Sequence, residues 1–464
     1  MSTKGNIQDV YPLTPMQEGM LFHALNENTA SAYFEQMSYR LKGSLEIEII
    51  KESLNELMKR HDILRTAFVH EREGRPIQVV LKDRPVDFTY EDIRHIGTLS
   101  QKEEYVAAFH EKDRQRPFNL TKDVLMRTAL IRLDDQLYDF TWSHPHIIMD
   151  GWCLGIVISE FMEIYRSLLA RRPYRLPYVQ PFRKYIEWLE KRNIEESLNY
   201  WAQVLSDYNQ PSLIPRIISK EANKSGFKKE MIRIPLGTER TNYLKEFSGK
   251  NQVTLSNVMQ ALWAIVIGKL NGQVNGDAVF GLVVSGRPTE IEGIETMVGL
   301  FINTIPVRIR FQDTEPFPQF IRRLQAESIE SEPHHYCHLM KIQARTIQKQ
   351  NLLDHLFSFK NFPVGDQIRE TTKEQTQFSV SNIQPYEHNS FDFVIAVEAR
   401  NEIAVRFVYN ALSFDPVLIQ RIAQHYEKVL QQDLEHITVE QLKQFDSQRK
   451  KQIQDQFNED LELE

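Results

Sequence analysis

Residues 137–169 read LYDFTWSHPHIIMDGWCLGIVISEFMEIYRSLL, and their reading decides the fold. Leu137 to Trp142 alternates, with Tyr138, Phe140 and Trp142 on one side, the period-two pattern of a strand. Further on, Val157, Phe161, Ile164 and Leu168 recur at spacings of four, three and four, the apolar stripe of a helix. Between the two patterns lies a tight polar turn. Pro145 has no N–H to give to a strand ladder, so His144 and His146 are placed at or beyond the strand's end. Such ends are where loops present reactive groups. An imidazole there, with an ordinary pKa of about 6.5, is a usable base or hydrogen-bond partner near neutrality.

The same residues have quieter readings. Asp150 is placed to cap the helix that follows, because its oxygen can accept from a free amide of the first turn. Either histidine can be a packing residue. The His-x-His pair with Asp150, joined by His334, His335, Cys337 and His338 of PHHYCH, has the donors of a zinc site, but neither cluster has a recognised metal spacing. No metal is expected.

Outward toward the N-terminus, Thr14, Pro15 and Gln17 of LTPMQ carry the marks of a helix start. Thr14 is a cap, Pro15 fits the first helical position, and Gln17 stands where a capping box reciprocates. Tyr33 to Leu41 reads as a strand, and Ile50, Leu54, Leu57 and Met58 mark one face of a helix. Outward toward the C-terminus, Pro173, Pro177 and Pro181 interrupt the pattern and predict an extended connector. Beyond it the mixture repeats. An apolar helix is predicted over Ser256 to Leu270 and a doubly covered strand over Ala278 to Ser285. Helices follow at Phe317 to Ile329 and Pro416 to Leu430, with an exposed loop at Glu370 to Gln377. Strands mixed with helices in both halves predict an α/β protein of two lobes. The boundaries drawn are an N-terminal lobe over 1–172, a connector over 173–190, a C-terminal lobe over 191–445 and a linker over 446–464.

Composition narrows the function. The chain has 464 residues, 41% hydrophobic and 26% charged, as globular proteins do. With 56 basic and 63 acidic side chains the formal charge is 56 − 63 = −7, against a general nucleic-acid binder. No apolar run approaches the roughly 20 residues that span a bilayer. Two cysteines, Cys153 and Cys337, make no disulfide framework, and a reducing cytoplasm is the simplest compartment. Neither nucleic acid nor membrane is expected as a partner.

The motifs taken together resemble one family. The HxxxDG of His146 to Gly151, between an apolar strand and an apolar helix, is similar to the core motif of condensation domains of nonribosomal peptide synthetases, normally His-His-x-x-x-Asp-Gly. YPLTPMQEGMLFHAL resembles the family's opening motif, and RHDILRTAF, Arg60 to Phe68, a second. FRKYIEW, Phe182 to Trp188, stands in the place of Tyr-x-Asp-Tyr-x-x-Trp with two departures. VSGRP (Val284 to Pro288), MVGLFINTIPVR (Met297 to Arg308) and YNALSFD (Tyr409 to Asp415) complete the series in order. Anchored on Asp150-Gly151, the family's second histidine is His146 and the first is replaced by Pro145. His144 lies one place too early to fill that slot, since a one-residue shift near a strand turns a side chain to the other face.

The resemblance implies two chloramphenicol-acetyltransferase-like lobes forming a V-shaped pseudo-dimer with a channel between them. It implies peptide-bond formation, in which an acceptor amine attacks a donor thioester. No cofactor is bound directly; both substrates ride on the 4'-phosphopantetheine arms of carrier domains. His146 is then the catalytic residue. Asp150 pairs with Arg287 of the other lobe to fix the loop, Gly151 lets backbone approach the substrate arm, and Pro145 bears on the loop's orientation. Trp152 is expected in the core. The chain is expected to be a monomer and a section of a larger synthetase. Its partners are upstream donor and downstream acceptor peptidyl carrier domains and a neighbouring adenylation domain, toward which 446–464 leads. The alternative is a catalytically impaired domain of the same fold that only recruits or positions carrier domains or partner enzymes.

Overall fold

The alternation at 137–142 continues to Pro145, the last residue of its strand, and the helix begins at Gly151. A computed structural model describes residues 3–25, 33–70, 74–217, 227–272, 276–360, 378–387 and 391–444. In chain order its strands are β1 (Ile7–Pro12), β2 (Phe34–Gly43), β3 (Thr66–Val69), β4 (Ile77–Leu81), β5 (Asp87–Asp92), β6 (Arg127–Asp134) and β7 (Leu137–Pro145). Then come β8 (Lys229–Pro235), β9 (Gly276–Val284), β10 (Asn303–Phe311), β11 (Leu356–Lys360), β12 (Phe378–Glu387), β13 (Phe393–Ala399) and β14 (Ile403–Asn410).

The chain forms two compact units. The first comprises 1–192, 285–302 and 362–390; the second comprises 193–284, 303–361 and 391–464. This corrects the contiguous boundaries drawn from the sequence. The proline-rich stretch 173–190 belongs to the first unit instead of standing apart, and two segments of the expected C-terminal lobe belong there too. The reason is hydrogen bonding. The polypeptide leaves β9 at Val284, gives the segment 285–302 to the first unit, and returns as β10, antiparallel to β9. Later β12 pairs antiparallel with β2, placing Val380 opposite Leu41. The expected loop at 370–377 and the linker over 446–464 lie outside the described residues.

In the first unit a five-stranded sheet runs β12-β2-β7-β6-β5, beside a small sheet β1-β4-β3. One face of the larger sheet carries Tyr39, Leu41, Phe140 and Trp142. These pack against the helices Ile47–Arg60 and Gly151–Leu169; Phe161 stacks on Phe140 at 6.3 Å between ring centres. The other face is polar yet buried. Helix Leu99–Arg114 covers it, and its Asp113 accepts from Gln36 Nε2 (3.0 Å) and Ser143 Oγ (2.6 Å) and pairs with Arg127 Nε (3.0 Å). His110 meets Asp139 and Thr141 at 2.9 and 2.8 Å. Buried polar groups are tolerated where they are paired like this. The alternation read from sequence is therefore real, although both faces of β2 and β7 are covered.

The second unit holds a six-stranded sheet, β10-β9-β11-β13-β14-β8, with β11 parallel to both neighbours. The apolar helix Leu255–Leu270 is buried along almost its whole length, with Trp263 at its centre. Trp263 Nε1 donates to His355 Nε2 at 2.9 Å, and burial lowers the pKa of that imidazole to about 4. No single helix among the described residues is long and apolar enough to cross a membrane.

Candidate functional site

The site grows from the end of β7. On that strand His144 shares a face with Phe140 and Trp142, and it is buried. Burial, with His146 close by, lowers its pKa to about 3. A ring so hard to protonate is a poor base near neutrality. Pro145 faces the other way with its β2 partner Phe34, so His144 does not occupy the slot beside it. A cavity of about 20 Å³ opens next to Pro145, lined by Met20, Phe34, Phe118, Leu120 and Ile147 among others.

His146 stands just past the strand, as the sequence predicts, at the head of a single 3-10 turn, His146–Ile148. It is partly exposed, unlike every other residue from Thr141 to Asp150. Its Nδ1 is buried with no hydrogen-bond partner among the described residues. The backbone around it is held at three positions. His146 N donates to Tyr33 O (2.8 Å), Gln17 Nε2 donates to Ile147 O (3.3 Å), and Asp150 N donates to Gly299 O (3.3 Å).

Asp150 occupies the cap position of the helix Gly151–Leu169, but its side chain caps nothing there. The carboxylate turns instead to the segment 285–302. Its Oδ2 accepts from Phe301 N (3.0 Å) and Ile302 N (3.3 Å), and its Oδ1 lies 3.5 Å from Arg287 Nη2. Both side chains are almost wholly buried. Charge-assisted bonds to two amides, with a guanidinium 3.5 Å away, outweigh one cap bond. Arg287 also donates to Ile294 O (2.5 Å) and Met297 O (3.0 Å), and its guanidinium lies 4.1 Å over the Phe301 ring. The expected pairing of Asp150 with Arg287 is thus present in the geometry. Its placement across two lobes is corrected, because Arg287 belongs to the same unit as Asp150.

Two supports were not legible beforehand. Cys153 is buried between the partners, its Sγ 3.3 Å from Asp150 Oδ1, 3.2 Å from Gly299 O and 3.2 Å from Arg287 Nη2. Burial and the neighbouring carboxylate push its thiol up to about 12, so it acts here as an uncharged bridge. Gly286, at φ 60°, is the second. A Cβ there would meet Phe301 O at 1.8 Å, so only glycine lets the SGRP turn lie against that strand of backbone. Phe182 and Tyr185 of FRKYIEW close on the same place, their rings 5.3 and 4.8 Å from Phe301.

Gly151 is the first residue of the helix. Trp152 is not in the core, against expectation. It is 37% exposed, with Nε1 donating to Glu295 O at 3.1 Å, because position two of this helix faces away from the apolar stripe. In PHHYCH the side chains are engaged locally. His334 stacks on Tyr200 at 4.2 Å and meets Ser197 Oγ, His335 meets Ser331 Oγ, and His338 Nδ1 accepts from Met340 N. Among the described residues no group of three or more His, Cys, Asp or Glu is placed to hold a metal ion.

The model of the condensation domain family matches residues 7–454, and the chain belongs to that family. It is 38% identical over 461 residues to bacitracin synthase 3 of Bacillus licheniformis, covering 98% of this chain and 7% of that one. It is 39% identical over 433 residues to gramicidin S synthase 2 of Brevibacillus brevis, covering 92% of this chain and 10% of that one. The chain therefore spans a small part of these relatives. In fold it is similar to the X-domain from teicoplanin biosynthesis, with a TM-score of 0.75 at 20% identity, covering 93% of this chain and 97% of that one. It is also similar to the first condensation domain of the calcium-dependent antibiotic synthetase, at 0.71 and 15%, covering 94% and 99%.

Two outcomes follow from this geometry. Arg287→Ala leaves the Asp150 carboxylate buried without its cation, and it is expected to lower the unfolding free energy by about 3 kcal/mol in urea titration. A loss below about 1 kcal/mol would show that the two amides alone satisfy Asp150. Pro145→His places an imidazole beside the cavity of about 20 Å³ and returns an amide hydrogen to the strand end. In an assay for joining two carrier-bound substrates the variant is expected to match or exceed the parent protein, and a marked drop would show the loop to be adapted to proline.

Proposed function

We propose that the chain catalyses peptide-bond formation between two thioester-bound substrates, with His146 as the catalytic residue. The observation that carries this reading is the partly exposed imidazole of an HxxxDG motif, on a backbone bonded at His146, Ile147 and Asp150, in a chain matched by the family model over almost its whole length. The acceptor's α-amine attacks the donor's carbonyl carbon. A C–N bond forms, the C–S bond breaks, and the amine's proton ends on the departing thiol. His146 meets the attacking amine, orienting it and easing the loss of that proton. The substrates arrive on phosphopantetheine arms of carrier domains, which turns a bimolecular encounter into a positioned one. An adenylation domain completes the neighbourhood of such a section. Asp150 and Arg287 do no chemistry in this scheme; they hold the turn.

A second reading is favoured by Pro145, which stands where the family pattern has its first histidine. On that reading the domain binds carriers without joining their cargo. One assay separates the two. With both carrier domains loaded, the unaltered chain is expected to yield dipeptide, and His146→Ala to lower the rate by about 10²–10⁴-fold with an unchanged circular-dichroism spectrum. Turnover by His146→Ala at the parent rate contradicts the catalytic role. No dipeptide from the parent, with carriers still bound, establishes the second reading.

A further inference from the structure

We propose that Gln17 is a positioning residue for His146, acting through the carbonyl of Ile147. The inference rests on the catalytic reading of His146 and deepens it. As a sequence feature Gln17 closes a capping box, and it does so: Gln17 N donates to Thr14 Oγ1 (3.1 Å) and Thr14 N to Gln17 Oε1 (2.9 Å). A capping glutamine needs only that one oxygen and is ordinarily free at its other end. This one is fully buried.

Its amide is fixed in direction by a chain of bonds. Gln78 Nε2, from β4, donates both to Pro12 O (3.0 Å) and to Gln17 Oε1 (2.9 Å). With its oxygen taken twice, the Gln17 carboxamide has only its Nε2 to offer, and that group donates to Ile147 O at 3.3 Å and lies 3.4 Å from Gln78 Oε1. Ile147 is the middle residue of the 3-10 turn that His146 begins. The peptide between His146 and Ile147 is thus bounded on one side by the His146 N bond to Tyr33 O, and the next carbonyl by Gln17. Rotation of that turn would swing the imidazole, and a displacement of order 1 Å at a reacting group costs about 10²-fold in rate.

In the family pattern the residue before His146 is the first histidine of the pair. Here that residue is Pro145, which lines an apolar cavity and offers neither a donor nor an acceptor side chain. Gln17, reaching in from the opening helix Pro15–Leu25, supplies a polar restraint on the turn from outside it.

Two variants separate positioning from helix capping. Gln17→Met is close in shape but removes the bond to Ile147 O together with the oxygen that accepts from Thr14 N and Gln78 Nε2, so a lower Tm is expected as well as the loss in rate. It is expected to lower kcat by about tenfold to a hundredfold with the KM for a soluble aminoacyl thioester acceptor unchanged. Thr14→Ala removes the Oγ1 cap while its backbone N–H still holds Gln17 Oε1; it is expected to lower Tm and leave kcat alone. Parallel losses of kcat in both variants, or none in Gln17→Met, overturn the proposal. Should Gln17→Met fail to fold, the parent protein decides the matter by NMR. One Nε2 proton of Gln17 is expected to exchange slowly with solvent, and free exchange of both protons overturns the restraint. His146→Ala is run alongside. If it retains full turnover, the catalytic reading itself has failed; if it is inactive while Gln17→Met is unimpaired, only the present inference has.

Discussion

A carboxylate taken out of water must be met by donors, and in this protein that requirement organises the site. Asp150 is almost wholly buried, and it is met by two backbone amides and a guanidinium from one distant segment of chain. The segment 285–302 cannot leave without stranding a charge, which is far costlier than losing an ordinary contact. Asp150 is four residues from His146, so the same constraint that docks the segment also fixes one end of the histidine's loop. The other end is fixed by β7, whose Ser143 is bonded to Asp113 beneath the sheet. The imidazole stands between two immobile points.

The supporting residues divide by what they contribute. Phe182 and Tyr185 bring apolar area against Phe301 and keep water from the two amides. Cys153 fills the space between a carboxylate and a guanidinium that are too far apart for a close pair, and its sulfur touches both. Gly286 allows the backbone crossing that brings Arg287 into reach. Phe182, Tyr185 and Gly286 lie far from His146 in sequence, yet each bears on the same turn.

Much of this was legible in the residues. The change of period between Trp142 and Val157 placed the strand, the turn and the helix. Thr14 and Gln17 marked their helix start to the residue, and the last strong helix begins and ends at Pro416 and Leu430 as its stripe predicts. His146 is found where Pro145 implied, past the end of the ladder. The paths of chain were not legible. Nothing local in 285–302 or 378–387 says that they join the first unit, because that choice is made by a partner carboxylate and by the free edge of β2. For the same reason Asp150 read as a cap: its local options were visible and its distant donors were not. Trp152 misled through its size, since a tryptophan beside an apolar stripe suggests burial, whereas its position on the helix turns it outward.

Asp150 holds the Phe301 and Ile302 amides in a buried, charge-assisted grip. Amide hydrogen exchange reads that grip directly. Both amides are expected to exchange only through large-scale unfolding, as slowly as those in the middle of β7, and Asp150→Asn is expected to speed their exchange severalfold or more. Exchange at the rate of an open loop in the parent protein would contradict it, because a loop whose anchor opens freely cannot hold His146 in place.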